Sequence, residues 1–289
     1  MNESIGVVVP TYNCRAYLSD CLESLLGQSL KPDQIVICDD CSQDGTQEVI
    51  LKYQRDYPDL IDCVLHEKNN GIVYNFNSGL KEVMTHYVSI IAGDDFWHTD
   101  KLKLEIDALR KSPECRWAYS NSVLVDREGK YIQPFRREYD GAEGDILFEV
   151  LTHEMTLRNW LIEKSLLDAI GLFDERFHIF EDWDLKIRLA AEAQVKHVDH
   201  NSICYRRHGH GISASPGNVY FENLLKVYKK HLSLIGSLHE ERMKIILRKQ
   251  KKDMLLHLNR YLNSNCNISF ASRLRYLLYK ISLNFRMGA

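Results

Sequence analysis

Two adjacent carboxylates, Asp94 and Asp95, directly follow an apolar segment at residues 87–93. The segment is typical of a short buried strand, and Gly93 allows the backbone to turn where the strand ends. Because neighbouring carboxylates repel each other and lose hydration when buried, such a pair favours a bound cation. A divalent metal with oxygen ligands fits this requirement and commonly brings phosphate groups with it. The alternative for an isolated pair is a solvated turn, since Asp is a common turn residue.

Polar residues also follow two other strand-like segments. Pro10, Thr11, Tyr12 and Asn13 come after the first, and Asp39 and Asp40 come after the second. The chain contains neither G-x-G-x-x-G nor G-x-x-x-x-G-K-[ST], which argues against a dinucleotide-binding Rossmann site and a P-loop. Open α/β sheets bind their ligands at the carboxyl ends of the strands. Three polar strand ends on one edge therefore predict a pocket for a nucleotide diphosphate and its metal.

Strand-like and helix-like segments alternate through the first half of the chain. Apolar, β-branched runs indicate strands at residues 5–9, 34–38, 61–65 and 87–92. The spacing of apolar residues indicates helices at residues 16–30, 46–57, 73–84 and 101–111. This alternation predicts βαβ units and a mostly parallel sheet with helices on both faces.

The pattern changes after residue 115. We expect a hairpin from residues 117–125 and 131–135, short helices at 146–151 and 165–170, a longer helix at 183–193, and brief strands at 195–198 and 203–205. Residues 208–217 are rich in turn residues. From residue 220 onward the pattern is helical, with amphipathic segments at 222–234, 240–262 and 269–284. We therefore expect an α/β domain over residues 1–217 and a basic α-helical region over residues 218–289.

Charge is divided unevenly along the 289 residues, whose net charge is −3. Residues 220–289 carry 14 Lys and Arg against 4 Asp and Glu, whereas the preceding residues carry 23 against 36. A basic tail on an acidic body indicates contact with an anionic surface. Residues 269–286 combine an apolar side with Arg and Lys, which favours peripheral binding to an anionic membrane. The alternatives are packing on the α/β domain or on a second subunit of a homo-oligomer and, more weakly, nucleic-acid binding, for which no base-stacking platform is evident.

Neither a membrane-spanning run nor a signal peptide is evident in the sequence. We therefore expect a cytoplasmic protein, at the inner face of the plasma membrane where the basic tail binds lipid, with its eight cysteines as reduced thiols. Cys38 and Cys41 form a C-x-x-C pattern, but no second such pair completes a zinc site.

Several motifs taken together resemble family 2 glycosyltransferases of the GT-A fold. They lie at residues 7–13, 36–46, 93–97, 173–177, 181–185, 188–189 and 205–213, in the order that the family has them. The resemblance covers residues 4–215 in separate blocks. It implies a Rossmann-like, mostly parallel α/β sheet with a C-terminal helical extension. It also implies inverting transfer of a sugar from a nucleotide-activated donor, with a divalent metal, Mn²⁺ or Mg²⁺.

The resemblance implies a nucleotide site at the first two strand ends. Thr11 and Tyr12 line the nucleoside pocket beside Pro10, and Asp40 accepts a hydrogen bond from the base. An acidic residue at the base favours a UDP-sugar donor.

The resemblance also implies a metal and diphosphate site. Asp95 is the principal metal ligand, and Asp94 approaches both the metal and the ribose. His208 adds a metal ligand or a diphosphate contact, helped by Arg206 or Arg207. Taken without the resemblance, His208 is better explained as a solvated loop histidine, and the two arginines can form surface ion pairs.

Asp182 corresponds to the general base of the family. An acceptor hydroxyl must lose its proton as it attacks, so a carboxylate within hydrogen-bond reach is required. The alternative is that Glu181 and Asp182 are a capping pair at the start of the helix, where carboxylates favour the helix dipole.

Two positions depart from the pattern of the family. Phe76 stands where an arginine is usual, and we expect Lys68 to replace that donor or phosphate contact. Cys41 stands where a glycine is usual, which indicates a tight turn.

These features predict a metal-dependent, inverting hexosyl- or N-acetylhexosaminyltransferase. Its expected acceptor is a glycan or lipid-linked oligosaccharide in bacterial-type polysaccharide biosynthesis, such as that of lipopolysaccharide. Two alternatives remain open. One is a nucleotidyl- or phosphotransferase that uses the same pocket, and the other is a catalytically silent protein that binds a nucleotide-sugar or a glycan.

Overall fold

The computed structural model describes residues 3–208 and 217–264 of the chain. Two compact units divide the protein, Met1–Gly209 and His210–Ala289. The boundary falls at the start of the turn-rich segment, whereas the sequence interpretation places it at the end, after residue 217. The predicted helix at residues 269–284 and most of the turn-rich segment lie outside the described residues.

The first unit begins with alternating strands and helices. They are β1 (Ile5–Thr11), α1 (Arg15–Leu26), β2 (Gln34–Asp39), α2 (Thr46–Asp56), β3 (Ile61–Leu65), α3 (Ile72–Glu82), β4 (Tyr87–Ile90), β5 (Phe96–Trp97) and α4 (Lys101–Lys111). The predicted elements are present, and β5 is the addition because two residues carry no readable period. β1 and β2 are buried along almost their whole length, as expected of central strands covered on both faces.

The second half of this unit completes the sheet. It contains β6 (Cys115–Val125), β7 (Tyr131–Phe135), α5 (Leu147–Leu151), β8 (Leu161–Glu163), α6 (Lys164–Ile170), α7 (Glu181–Glu192) and β9 (Gln194–Arg206). The predicted hairpin is present, with β6 and β7 antiparallel. β9 is one strand along β6 rather than the two brief strands expected, because the polar residues 199–202 interrupt the apolar pattern without ending the pairing.

Within the described residues, nine strands form one sheet in the order β3-β2-β1-β4-β8-β6-β9-β5, with β7 paired to β6. The first four strands of this order are parallel. β8 is antiparallel to both neighbours, β6 and β9 are parallel, and β5 is antiparallel to β9. Parallel pairing therefore dominates the half that carries the first polar strand ends, and the other half is mixed.

The acidic turn crosses this sheet. Residues 91–95 connect β4 to β5, although three strands lie between them in the sheet order. In a flat sheet these two strands would be about 19 Å apart, from four spacings of about 4.8 Å. The connection is folded, since the Asp95 N–H donates to the Ala92 carbonyl oxygen at 3.0 Å. The sheet must therefore curl, and the curl brings β9 against the turn.

A buried ion pair ties α4 to the curled sheet. Lys101 Nζ lies 2.9 Å from Glu105 Oε2, and both side chains are fully buried. Lys101 also donates to Ser89 Oγ in β4 at 2.8 Å, and the Ser120 hydroxyl of β6 donates to Glu105. Burial lowers the pKa of Lys101 and raises the pKa of Glu105. Because neither charge reaches water, loss of one partner would destabilise the fold by about 3–5 kcal/mol.

The described part of the second unit is helical. It contains α8 (Gly217–Lys230), α9 (Leu232–Gly236) and α10 (Glu240–Ser264). Leu224, Val227, Ile235 and Ile246 are buried. Among the described residues, no helix combines the length and the apolar character needed to cross a membrane. The membrane-binding prediction for residues 269–286 lies outside this part of the chain.

Candidate active site

The turn after β4 is fixed against the end of β1. The Gly93 N–H donates to the Pro10 carbonyl oxygen at 3.1 Å. A Cβ atom at position 93 would lie 2.9 Å from Thr11 Cγ2, so glycine permits an approach that other residues would hinder. Pro10 therefore contributes a backbone contact that holds the acidic turn in place.

Asp95 is the buried member of the acidic pair, with 1% of its surface exposed. Its Oδ1 accepts a hydrogen bond from the backbone N–H of Arg206 at 2.9 Å. Burial raises the pKa of Asp95, and the charge of Asp94 raises it further, while Arg158 and Arg206 only partly oppose the rise. The buried carboxylate is thus short of positive charge, which is the condition expected at a cation site.

Asp94 is the more exposed member of the pair and contacts His208, near the end of the first unit. Its Oδ2 lies 2.9 Å from Nε2 of His208, whose ring packs on Tyr17 with centroids 4.9 Å apart. Carboxylate oxygens and an imidazole nitrogen are ligands that Mn²⁺ accepts, so the donor chemistry of Asp94, Asp95 and His208 fits the predicted metal. In residues 3–208 and 217–264, no three His, Cys, Asp or Glu side chains are already grouped as a metal cluster. A metal would have to replace the contact between Asp94 and His208.

Arg206 is buried, although the sequence predicts that it helps His208 contact the diphosphate. Its guanidinium is buried below the acidic turn, where it donates to the Asp94 carbonyl oxygen and to Asp20 Oδ2, both at 2.9 Å. The same group lies between two rings, 4.8 Å from the centroid of Tyr17 and 5.2 Å from that of Phe96. With these donors engaged, Arg206 positions the turn, and the diphosphate contact expected of it stays a prediction.

The other predicted cations are exposed. The guanidinium of Arg207 lies 5.9 Å from the centroid of Tyr205, at the end of β9, and its diphosphate contact stays a prediction. Lys68 is exposed in the loop before α3. Phe76 stacks on Phe173 with centroids 4.7 Å apart, so its position serves apolar packing. The donor or phosphate contact expected of Lys68 likewise stays a prediction.

The ends of β1 and β2 carry the predicted nucleoside residues. Thr11 is buried and its Oγ1 donates to Asp39 Oδ1 at 2.9 Å, so its side chain supports the strand ends rather than lining an open pocket. The two carboxylate oxygens of Asp40 accept from the backbone N–H groups of residues 70–71 at 2.7 and 2.8 Å. Asp40 is as buried as Thr11, and the hydrogen bond from a base expected of it stays a prediction. Tyr12 is 53% exposed and is free to stack on a base.

A second acidic pair, Glu181 and Asp182, begins α7. The side chain of Asp182 is 51% exposed, and its Oδ2 accepts from Lys186 Nζ at 2.7 Å. Partial desolvation raises the pKa of Asp182, but the charge and the hydrogen bond of Lys186 outweigh it and lower the pKa overall. Burial and the charge of Asp182 raise the pKa of Glu181. Asp182 therefore stays ionised. Glu181 and Asp182 both lie in the first turn of α7, where carboxylates favour the helix dipole, so the alternative of a capping pair stays open beside the catalytic one.

Three residues of this region are not predicted from the sequence as part of the site. Lys186 follows Asp182 by one helical turn, and that i,i+4 spacing is a signal that the sequence does contain. Tyr17 and Arg158 carry no such signal, because their contacts join elements far apart in the chain. Arg158 lowers the pKa of both Asp95 and Asp182, so it lies within electrostatic reach of both acidic pairs.

Solved structures identify the class to which this fold belongs. TarS 1-349 of S. aureus, in complex with UDP-GlcNAc, matches with a TM-score of 0.70 at 20% identity, over 97% of this chain and 79% of that one. The mannosyltransferase PcManGT from Pyrobaculum calidifontis, in complex with GDP-Man and Mn²⁺, matches with a TM-score of 0.63 at 16% identity, over 99% and 85% of the two chains. The fold is that of the GT-A glycosyltransferases, as predicted.

Sequence comparison identifies the family. The model of "Glycosyl transferase family 2" matches residues 6–171, more than half of the chain. The chain belongs to glycosyl transferase family 2, and the predicted family is confirmed. Chondroitin synthase of Escherichia coli is 27% identical over 237 residues, which are 80% of this chain and 33% of that protein. The putative teichuronic acid biosynthesis glycosyltransferase TuaG of Bacillus subtilis is 28% identical over 158 residues, or 55% of this chain and 58% of that one.

Proposed function

We propose that this glycosyltransferase moves a hexose or N-acetylhexosamine, with inversion, from a UDP-sugar to a glycan or a lipid-linked oligosaccharide. The observation that carries the proposal is that the fold holds two unlike acidic pairs. In the turn after β4, Asp95 is buried and Asp94 lies 2.9 Å from His208, whereas at the start of α7 Asp182 lies 2.7 Å from Lys186. One pair is short of positive charge, as a metal and diphosphate site requires. The other keeps an ionised carboxylate, as proton removal requires.

Asp182 is the proposed general base. Its hydrogen bond to Lys186 keeps the carboxylate ionised at neutral pH. The acceptor hydroxyl gives its proton to an oxygen of Asp182 while the hydroxyl oxygen attacks the anomeric carbon. A single base on the side opposite the leaving diphosphate leads to one displacement, and one displacement inverts the anomeric centre.

Asp94, Asp95 and His208 are the proposed ligands of a Mn²⁺ or Mg²⁺ ion. Bound there, the ion supplies positive charge that stabilises the leaving nucleoside diphosphate. Asp95 is buried with too little positive charge around it, which supports this assignment. The Mn²⁺ in the structure of PcManGT supports it as well. Tyr12 and Asp40 are the proposed contacts of the base.

The names of the relatives support a polysaccharide product, since two of them refer to chondroitin and teichuronic acid. The chain spans 33% of the length of the chondroitin synthase, so the acceptor is proposed as a class rather than as one compound. We propose synthesis of a bacterial-type polysaccharide at the inner face of the plasma membrane, with the basic region of residues 218–289 against anionic lipid.

A screen of nucleotide-sugars tests the proposal. We expect release of UDP from at least one UDP-sugar in the presence of Mn²⁺, with loss of that release in EDTA, and inversion read by NMR of the transferred product. Calorimetric binding of UDP without turnover of any donor would favour a catalytically silent nucleotide-sugar or glycan-binding protein. Release of UMP or pyrophosphate would favour a nucleotidyl- or phosphotransferase.

A further inference from the structure

The loop that leads into β8 is attached to both ends of the acidic turn. The Ser89 hydroxyl of β4 donates to the backbone carbonyl oxygens of Asn159 at 3.3 Å and Trp160 at 2.8 Å. In the orientation that satisfies both of its amide atoms, the Asn159 side chain donates to the Ile90 carbonyl oxygen at 3.0 Å and accepts from Trp97 Nε1 at 3.1 Å. Ile90 ends β4 and Trp97 ends β5. The loop and the acidic turn are therefore held in one arrangement.

The same loop also contacts α7. Lys186 Nζ lies 5.4 Å from the ring centroid of Trp160 and donates to Asp182 Oδ2 at 2.7 Å. The loop thus touches the acidic turn on one side and the lysine that holds the proposed base on the other. Arg158, which precedes Asn159 in this loop, lowers the pKa of both Asp95 and Asp182 and is therefore within electrostatic reach of both acidic pairs.

Arg158 projects from this loop onto an aromatic surface. Its Cζ lies 3.8 Å from the centroid of Tyr205 and 5.5 Å from that of Phe135. Tyr205 directly precedes the residue whose N–H binds Asp95. Within the described part of the chain, the Arg158 guanidinium makes no hydrogen bond or ion pair, and the residue is only partly buried. Stacking fixes the plane of the guanidinium and leaves its N–H donors for another partner.

We propose that Arg158 binds the β-phosphate of the donor, the group that leaves with the nucleotide. This inference rests on the proposed function, which places a diphosphate beside the acidic turn. A guanidinium held flat on a ring presents parallel N–H donors that match the oxygens of a phosphate.

A carboxylate on an acidic sugar would meet the same guanidinium with the same chemistry. The diphosphate is favoured because every UDP-sugar carries it, at the bond that breaks in the transfer. UDP and UMP, which carry no sugar, separate the two sources.

The test compares Arg158→Gln, which removes the charge, with Arg158→Lys, which keeps the charge but loses the planar fork. Arg55→Gln is the matched control, because Arg55 is exposed on α2. Calorimetry at fixed Mn²⁺ measures the affinity of each variant for UDP and for UMP, and thermal unfolding verifies that each is folded. We expect Arg158→Gln to weaken UDP binding about tenfold or more without weakening UMP binding. Arg158→Lys should lose less, and Arg55→Gln should lose nothing.

Unchanged UDP affinity in Arg158→Gln would overturn the inference. If that variant instead lost affinity for UDP-glucuronic acid but not for UDP-GlcNAc, the partner of Arg158 would be a sugar carboxylate. Wild-type protein that binds no UDP would contradict the proposed donor itself, and this outcome differs from a failure at Arg158 alone.

Discussion

The two acidic pairs of the site are similar in sequence and differ in how their charge is balanced. Each pair has one carboxyl group whose pKa is raised by burial and by its neighbour, Asp95 in the turn and Glu181 in the helix. In the helix pair, Asp182 has its own cation one turn away in Lys186. In the turn pair, the guanidinium of Arg206 is engaged with backbone and with α1.

This difference indicates which pair is suited to each half of the reaction. A carboxylate that is paired within its own helix needs no added cation and remains ready to accept a proton. A buried carboxylate whose neighbour repels it becomes stable in its charged form only when a ligand brings positive charge. The cost of negative charge at the turn in the free protein therefore favours binding of a metal there, and the metal in turn attracts the diphosphate.

The largest expected effect is that of Asp182→Asn. Loss of the general base should lower the transfer rate on the order of a thousandfold, while the affinity for UDP stays the same. The melting temperature should fall, because Lys186 is mostly buried and loses its anionic partner. Steady-state transfer, calorimetry with UDP and thermal unfolding measure the three quantities.

Asp168→Asn in α6 is the matched control, since Asp168 forms an i,i+4 pair with Lys164 and is more than half exposed. Its effect on transfer should be negligible. Full transfer activity in Asp182→Asn would exclude this carboxylate as the base.

The next effect is that of Asp95→Asn, which should weaken Mn²⁺-dependent UDP binding at least about tenfold. Without metal, the melting temperature should not fall, because the amide oxygen still accepts from the Arg206 N–H and the repulsion by Asp94 is removed. The raised pKa of Asp95 means that ionisation destabilises the native protein as the pH rises above about 4, the ordinary pKa of an aspartate. The stability gained by the variant should therefore be larger at pH 8 than at pH 5.

Thermal unfolding in EDTA at both pH values checks this sign, with Asp59→Asn in an exposed turn as the control. A marked loss of stability in Asp95→Asn would show that the carboxylate serves the fold. The two pairs would then no longer differ in the way described above.

The smallest effect is that of Lys186→Gln. Removal of the ammonium should raise the pKa of Asp182, because the charge that lowers it is lost while partial desolvation remains. Since the base must be ionised, the acid limb of the transfer rate should move to higher pH, with a severalfold loss at pH 6 as an order-of-magnitude expectation. Lys164→Gln, which breaks a comparable helical pair, should leave the profile unchanged. An unmoved acid limb in Lys186→Gln would mean that another group controls the ionisation of the base.

Local patterns in the sequence predict much of the fold. β3 and α4 begin and end at the predicted residues, since each has a strong period and clear breakers on both sides. β5 and β8 have two and three residues, which is too few to show a period, and they exist because longer strands pair with them. The sequence predicts two strands in place of β9 because polar residues interrupt the apolar pattern. Pairing along β6 outweighs that interruption, so β9 is one strand.

Part of the chemistry of the site can also be predicted from the local sequence. The types and positions of Asp94, Asp95 and Asp182, each beside a recognisable strand or helix boundary, point to a cation site and a carboxylate base without reference to any contact. The turns at Gly93 and Cys41 are likewise predicted from the sequence. The backbone of Cys41 is left-handed in the structure, with φ of 63°.

The sequence by itself determined the α/β alternation, the family and the identity of the acidic residues, because periodicity and short motifs depend on neighbours along the chain. The tertiary structure alone decided how charge is distributed among them. It placed Arg206 under the turn and Arg158 on Tyr205. It also separated Asp95, whose nearby arginines only partly offset its burial, from Asp182, which is paired with its own lysine. Burial and electrostatic reach act through space between elements distant in the chain, so no local pattern contains them.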